Sequence, residues 1–226
     1  MRILFTFLLF TLFIFSCSDE KKADDNSPNS VEKRIKKKKK AQPLDSISRK
    51  NTVAFLAKYG QENKENKVVI HTRFGDIRLV LYNETPLHRA NFIFLSKIGY
   101  FDTTCFYRVV PGFIIQGGNS ENLQTNAMRN RYQNYRIPPE MSPELKHKYG
   151  AVAAARDWED NPGKVSNPFE FYIIQSRNGA HHLDGEHTVF GEVSSGFSVI
   201  DKIVNLEAGS DEWPLEDVFI SVEVSE

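Results

Sequence analysis

The 226-residue sequence has little cysteine, no excess of charge and no long hydrophobic run. Its two cysteines, Cys17 and Cys105, can form at most one bond, and none if Cys17 is consumed in processing, so a disulfide framework is excluded. The 29 basic and 29 acidic residues balance, so composition does not indicate nucleic acid as a partner. The longest apolar stretch, Ile3 to Phe15, has about thirteen residues, whereas a membrane-spanning helix needs roughly twenty.

Several chemical motifs are also missing. The sequence has no glycine-rich phosphate loop, no nucleophile elbow and no internal repeat. His181, His182 and His187 lie close together, but their spacing fits no common zinc-ligand pattern. The sequence therefore predicts neither a metal site nor a cofactor.

The N-terminus has the organisation of a secretory signal. Arg2 precedes the apolar stretch, and Ser16 and Cys17 follow it. A cysteine directly after a small residue resembles the lipobox of bacterial lipoproteins, which implies cleavage before Cys17 and its lipidation. Ile14 and Phe15 are bulkier than the commonest lipobox residues, so a plain secretory signal and an uncleaved anchor stay open. The expected location is the bacterial cell envelope, lipid-anchored to a membrane and facing the periplasm or the cell surface.

Residues 18–50 are nearly free of aromatic and large aliphatic side chains and contain the lysine run Lys36 to Lys40. Such a segment buries too little apolar surface to offset the entropy of ordering, which predicts a disordered tether. The lysines are either a solvated spacer or a contact for anionic lipid headgroups. Residues 51–66 are expected to be a short lead-in with a helix over Thr52 to Tyr59, and 67–226 a single monomeric domain.

Strand-like runs dominate from Val68 onward. Two of them flank Gly75-Asp76, which predicts a hairpin. One helix is expected from Pro86, with Thr85 as N-cap, and a second over Ser198 to Leu206. Further strands are expected at 105–110, 113–116, 151–155, 171–175, 189–193 and 218–224. Many short strands with two helices favour a mainly β fold, a closed antiparallel barrel capped by helices.

Two stretches resemble the cyclophilin-type peptidyl-prolyl isomerases. FYRVVPGFIIQGG, Phe106 to Gly118, is similar to the signature strand pair of that family, and HLDGEHTVFGEV, His182 to Val193, to its second landmark. The resemblance covers the chain from about Lys67. It implies an eight-stranded barrel with a groove on the outer face of one sheet. It also implies isomerisation of X-Pro bonds in proline-containing unfolded or exported polypeptides, without a cofactor.

The resemblance also implies roles for individual residues. Arg108 matches the catalytic arginine, Phe113 the ring beneath the substrate proline, and Gln116 the glutamine that orients arginine and substrate. In isolation, Arg108 could equally be a structural ion-pair residue. The substrate-binding positions implied are Ile114, Ala155, Arg156, Glu170, Tyr172, His182, Leu183 and His187.

Several positions depart from the family pattern. Tyr107 replaces a histidine and is expected to face away from the groove. His182 replaces a tryptophan, which implies weak cyclosporin binding, and Arg156 replaces a common asparagine. Glu170 replaces a glutamine and could pair with the catalytic arginine, or select peptides with a basic residue near proline. Residues 119–149 are expected to form a surface loop beside the groove. The alternative function is a binding module or holdase with weak isomerase activity.

Overall fold

The structure, a computed structural model, describes residues 47–132 and 135–225. The predicted signal, Cys17 and the lysine run lie outside these residues. The helices in the described part are α1 (Thr52–Glu62), α2 (Pro86–Lys97), α3 (Leu123–Arg131) and α4 (Phe197–Val204). The strands are β1 (Lys67–Thr72), β2 (Gly75–Leu81), β3 (Cys105–Val110), β4 (Ile114–Asn119), β5 (Ala151–Ala154), β6 (Phe171–Ile174), β7 (Val189–Ser195), β8 (Val218–Phe219) and β9 (Ser221–Ser225). No helix of this part is long and apolar enough to cross a membrane.

The strands form one antiparallel sheet in the order β8-β3-β4-β6-β5-β7-β2-β1-β9. Its two end strands follow each other in the chain and are separated only by Ile220. β8 pairs with β3 and β9 pairs with β1, so one segment covers both sheet edges and nearly closes the barrel. The predicted fold class is confirmed. The strands number nine rather than eight because the last predicted strand is interrupted at Ile220, whose amide donates to the Thr104 carbonyl (3.0 Å).

The barrel interior holds the larger apolar cluster, which includes side chains of α2 and α4. On the outer side of α2, helix α1 adds aromatic contacts, with the Phe55 and Tyr59 rings 5.3 and 5.4 Å from that of Phe94. Ile47, which composition places in the tether, is also buried in this cluster. The ordered unit therefore includes residues ahead of the predicted domain start.

Helix α2 begins at Pro86, as predicted, but Thr85 does not cap it through its side chain. The free amides of Leu87 and His88 instead donate to the carboxylate of Glu140, each at 2.9 Å. Glu140 lies in the stretch 119–149, which was expected to be a surface loop. That stretch also contains α3, which the sequence analysis did not predict; Asn122 caps it by accepting from the Gln124 amide (2.8 Å).

A second, smaller apolar cluster lies on the outer face of the sheet. Alternation along β4 separates the two clusters, because successive side chains of a strand point to opposite faces. Ile115 belongs to the interior cluster and Ile114 to the outer one. The outer cluster also contains Ala151, Ala153, Ala155, Tyr172, Ile174, Ala180, Leu183 and Val189.

Candidate active site

Strand register brings the two polar residues of the signature onto the outer face. Arg108 on β3 lies opposite Gln116 on β4, Gln116 opposite Tyr172 on β6, and Tyr172 opposite Ala153 on β5. Directly opposed residues of antiparallel strands project to the same face. The predicted arginine and glutamine therefore stand in one row beside the outer apolar cluster.

The guanidinium of Arg108 is held from two sides. Its Nη1 lies 3.5 Å from Gln116 Oε1, and its Nε donates to Glu212 Oε2 at 2.5 Å. The side chains of Arg108 and Glu212 are 35% and 42% exposed, so the pair is open to solvent. Nothing in the sequence around Glu212 indicated this contact, because the two residues lie 104 positions apart.

Most of the apolar residues that were predicted to bind substrate lie together on the outer face. Ile114, Ala155, Tyr172 and Leu183 are buried in the outer cluster, and the partly buried Phe113 packs against it. The exposed ring of His182 stacks on Phe113 at 5.6 Å. These side chains form an apolar floor on which the ring of Phe113 remains partly accessible.

A buried polar network supports this floor from below. The Tyr172 hydroxyl lies 3.0 Å from His147 Nε2, and His147 Nδ1 lies 2.9 Å from Asp184 Oδ1. Burial lowers the pKa of His147. Burial alone would raise the pKa of Asp184, but hydrogen bonds from the His147 amide and ring and from His181 hold it at about 2. The Tyr172 hydroxyl, although buried, thus has a hydrogen-bond partner.

His187 and Arg156 lie at the far side of the floor. The His187 ring stands perpendicular to Tyr172 at 5.5 Å, its Nδ1 is 3.0 Å from the Ala154 carbonyl, and burial lowers its pKa to about 4. The Arg156 guanidinium is bound to Glu186, at 2.8 Å to its carboxylate and 2.8 Å to its carbonyl. It also stacks on the exposed ring of Trp158 at 4.2 Å. Arg156 is therefore engaged by its neighbours at the rim, and Trp158 is an exposed aromatic that sequence reasoning did not single out.

Tyr107 does not face away from the groove, contrary to the expectation. The β3–β4 register shifts between Phe106 and Arg108, so Tyr107 is the extra residue of a bulge. A bulge re-aims the side chain that simple alternation would send to the other face. The Tyr107 hydroxyl accepts from Gln116 Nε2 and donates to Glu170 Oε2 at 3.0 Å. Burial raises the pKa of Tyr107, so the hydroxyl keeps its proton.

Glu170 is paired, but not with Arg108. Its Oε1 accepts from Arg129 Nη2 at 2.5 Å, and its Oε2 accepts from Tyr107. Arg129 belongs to α3 and also donates to the Tyr100 hydroxyl at 2.9 Å. The suggested Glu170–Arg108 pair is therefore not formed. Glu212 is the carboxylate that contacts the arginine.

Within residues 47–132 and 135–225, no group of three or more His, Cys, Asp or Glu is arranged to hold a metal ion. Cys105 is buried with a free thiol, and burial raises the pKa of that thiol to about 12.

Comparison with known proteins agrees with this geometry. The family model for cyclophilin type peptidyl-prolyl cis-trans isomerases matches residues 67–224. The chain belongs to this family. Peptidyl-prolyl cis-trans isomerase cypE of Dictyostelium discoideum is 34% identical over 157 residues, 69% of this chain and 95% of that cyclophilin. A putative peptidyl-prolyl cis-trans isomerase of Staphylococcus aureus is 31% identical over 204 residues, covering 76% of this chain and all of that one.

One further relative is larger than this chain. A putative bifunctional phosphatase/peptidyl-prolyl cis-trans isomerase of Streptococcus pyogenes is 33% identical over 68% of this cyclophilin, which spans only 37% of that relative. Among solved structures, a cyclophilin type isomerase of Cryptosporidium parvum is 25% identical with a TM-score of 0.60, covering 72% of this chain and 98% of its own. The same Cryptosporidium protein was also crystallised in the presence of the dipeptide Ala-Pro, with a TM-score of 0.59.

Proposed function

We propose that this cyclophilin accelerates rotation about X-Pro bonds in exported proteins, with Arg108 stabilising the twisted amide. The observation that supports this most is the row on the outer face, where the guanidinium of Arg108 stands beside an apolar floor. Phe113 offers its ring to the substrate proline, and Gln116 orients Arg108 and the peptide backbone. Ile114, Ala155, Tyr172, Leu183 and His187 line the pocket, with His182 at its edge.

The chemistry requires only these groups. Rotation about an X-Pro bond is slow because amide resonance must be broken, and no bond is made or cleaved. In the twisted state the prolyl nitrogen regains a lone pair, to which a guanidinium N–H donates. An apolar floor holds the ring while the acyl side rotates. Because these interactions are strongest in the twisted state, they lower the barrier rather than only binding the substrate.

Typical free energies indicate how much of the barrier reduction Arg108 and the rest of the pocket each contribute. An acceleration of about a hundred-thousand-fold corresponds to roughly 7 kcal/mol. One charge-assisted hydrogen bond from Arg108 supplies about 1.5 to 3 kcal/mol. The rest must come from the water-poor pocket and from backbone hydrogen bonds that fix the peptide. Removing Arg108 should therefore cost about 10- to 150-fold in rate, not the whole acceleration.

A binding module or holdase with weak isomerase activity is the competing function. The Arg108–Glu212 ion pair favours it, since a guanidinium already bound to a carboxylate has less to offer a substrate. The two functions differ in their dependence on Arg108: the isomerase needs its guanidinium, whereas a holdase needs only the apolar surface.

A protease-coupled proline-isomer assay on the full-length chain in detergent separates them. We expect Arg108→Ala to lower kcat/KM by the factor above, and Arg108→Lys to fall between it and wild type, because lysine keeps the charge but not the planar fork. Arg78→Ala is the matched control, since the side chain of Arg78 on β2 is 56% exposed and lies 3.8 Å from Asp76. Equal rates for wild type and Arg108→Ala would rule out the enzymatic mechanism.

We also propose that Cys17 carries the lipid that anchors the protein to the cell envelope, with the domain exposed to the periplasm or the cell surface. The lipobox-like sequence and the polar stretch after it support this. Metabolic labelling of the expressed chain with a fatty acid should label wild type and not Cys17→Ala. Equal labelling of both would refute lipidation at Cys17, and no labelling of wild type would leave the plain signal or uncleaved anchor.

A further inference from the structure

The contact between Arg108 and Glu212 belongs to a longer chain of side-chain hydrogen bonds. Arg108 donates to Glu212 on one side and reaches Gln116 on the other. Gln116 donates to Tyr107, whose hydroxyl donates to Glu170. The far end of this hydrogen-bond chain is anchored by Arg129 of α3, and the near end by the carboxylate of Glu212.

The loop that carries Glu212 is built around this position. The Glu212 carbonyl accepts from the amide of Val109, the residue after Arg108 (2.9 Å), so the loop is tied to β3 beside the arginine. A turn closes it, with the Gly209 amide donating to the Trp213 carbonyl at 2.8 Å. The Trp213 ring lies 5.4 Å from that of Tyr107.

The backbone of Glu212 is itself unusual. Its φ is 66°, in the left-handed region that residues other than Gly, Asn and Asp seldom adopt. Such strained residues cluster at active sites. The conformation of Glu212, next to Arg108, therefore indicates that its side chain has a function.

We propose that Glu212 is a positioning residue for the isomerase reaction: its carboxylate fixes the guanidinium of Arg108 in the orientation that faces the substrate amide. This inference rests on the proposed role of Arg108. The geometry favours positioning over competition, because Glu212 takes the Nε–H alone. Nη2 donates to none of the residues that the structure describes, so that end of the guanidinium is left for the substrate.

The test compares two neutral amide substitutions whose side chains differ in length by one methylene. Glu212→Gln keeps an oxygen acceptor at the same distance from Arg108 Nε. Glu212→Asn withdraws the acceptor by one methylene, and asparagine tolerates the left-handed backbone better than glutamate, so the loop is not strained. Glu216→Gln is the matched control from the same loop, since Glu216 is 80% exposed and pairs with Arg73 away from the groove (3.0 Å).

With full-length protein in the protease-coupled assay, we expect Glu212→Asn to lower kcat/KM about tenfold through kcat. Glu212→Gln should stay within about threefold of wild type, and Glu216→Gln should match it. The melting temperature of Glu212→Asn should be no lower than that of Glu212→Gln, which separates positioning from a loop-stability effect. A Glu212→Asn rate equal to wild type would overturn the proposal. A faster rate would show that Glu212 competes with substrate.

A second measurement does not depend on activity. In NMR spectra of ¹⁵N-arginine-labelled protein, the Arg108 Nε–H signal, assigned by its loss in Arg108→Lys, should be protected from solvent exchange in wild type and in Glu212→Gln. It should exchange fast in Glu212→Asn. Equal exchange in all three proteins would refute the positioning contact. If instead Arg108→Ala retains the wild-type rate, the mechanism under the proposed function fails, while the exchange data still decide whether Glu212 fixes Arg108.

Discussion

Single residues on the groove face have partners that chain position alone does not reveal. Glu170 is held by Arg129 and Tyr107, and the sequence analysis predicted neither contact. Arg129 lies on a helix in the stretch that was expected to be a surface loop, and Tyr107 occupies a bulge. A carboxylate whose two oxygens are both engaged has little left with which to select a basic substrate. Glu170 therefore supports the site's scaffold.

Glu170→Gln tests this at the residue scale. The side chains of Arg129 and Glu170 are only 24% and 15% exposed, so the substitution leaves a largely buried guanidinium without its counter-charge. We expect the free energy of unfolding in urea to fall by roughly 1 to 3 kcal/mol. We expect no change in preference for basic residues near proline. Asp157→Asn removes an exposed pair with Arg136 (3.3 Å) and should change stability by well under 1 kcal/mol. A rate gain or a shifted peptide preference in Glu170→Gln would contradict this account.

At the scale of elements, the start of α2 is stabilised from far along the chain. The Glu140 carboxylate accepts from two free amides of the first helical turn and lies 2.6 Å from His88 Nδ1. The ring of His88 continues to the Ser166 hydroxyl at 2.9 Å. A negative group at a helix N-terminus satisfies unpaired donors and is favoured by the helix dipole. Glu140 and Ser166 thus fasten the start of the helix that covers one end of the barrel.

Glu140→Ala should therefore act on stability rather than on catalysis. Losing a helix cap costs about 0.5 to 2 kcal/mol, and the buried His88 loses a partner as well, so we expect a loss near the top of this range. Urea titration followed by circular dichroism measures it. Glu144→Ala, at an exposed position of the same stretch, is the control and should be neutral. An unchanged free energy of unfolding in Glu140→Ala would contradict this prediction, because it would mean that water replaces the carboxylate at no cost.

For the whole molecule, buried histidines link folding to pH. Burial lowers the pKa of His187 to about 4 and lowers that of His147 as well. A histidine kept neutral in the fold contributes stability that is complete above its unfolded pKa of about 6.5 and is lost as pH falls below that value. Asp184, with its pKa of about 2, acts at lower pH, because its contribution is lost only below about pH 4.

We expect His187 alone to lower the free energy of unfolding by about 2 kcal/mol between pH 7 and pH 5, with His147 adding in the same direction. Urea titrations at several pH values measure this slope. His187→Gln should reduce the slope, whereas His182→Gln should not, since His182 is exposed. A wild-type stability that is flat from pH 7 to pH 5 would contradict the link.

The barrel class, the hairpin and the start of α2 could be predicted from the sequence, and the family resemblance implied that Gln116 orients Arg108. These follow from residue periodicity, local turn chemistry and two motifs, all of which are encoded over short stretches. Three features became visible only in the folded chain: Tyr107 turns into the groove, Arg129 holds Glu170 and Glu212 contacts Arg108. A bulge changes which side chains share a face, and an ion pair across 104 residues depends on how the sheet closes, so neither leaves a local pattern to find.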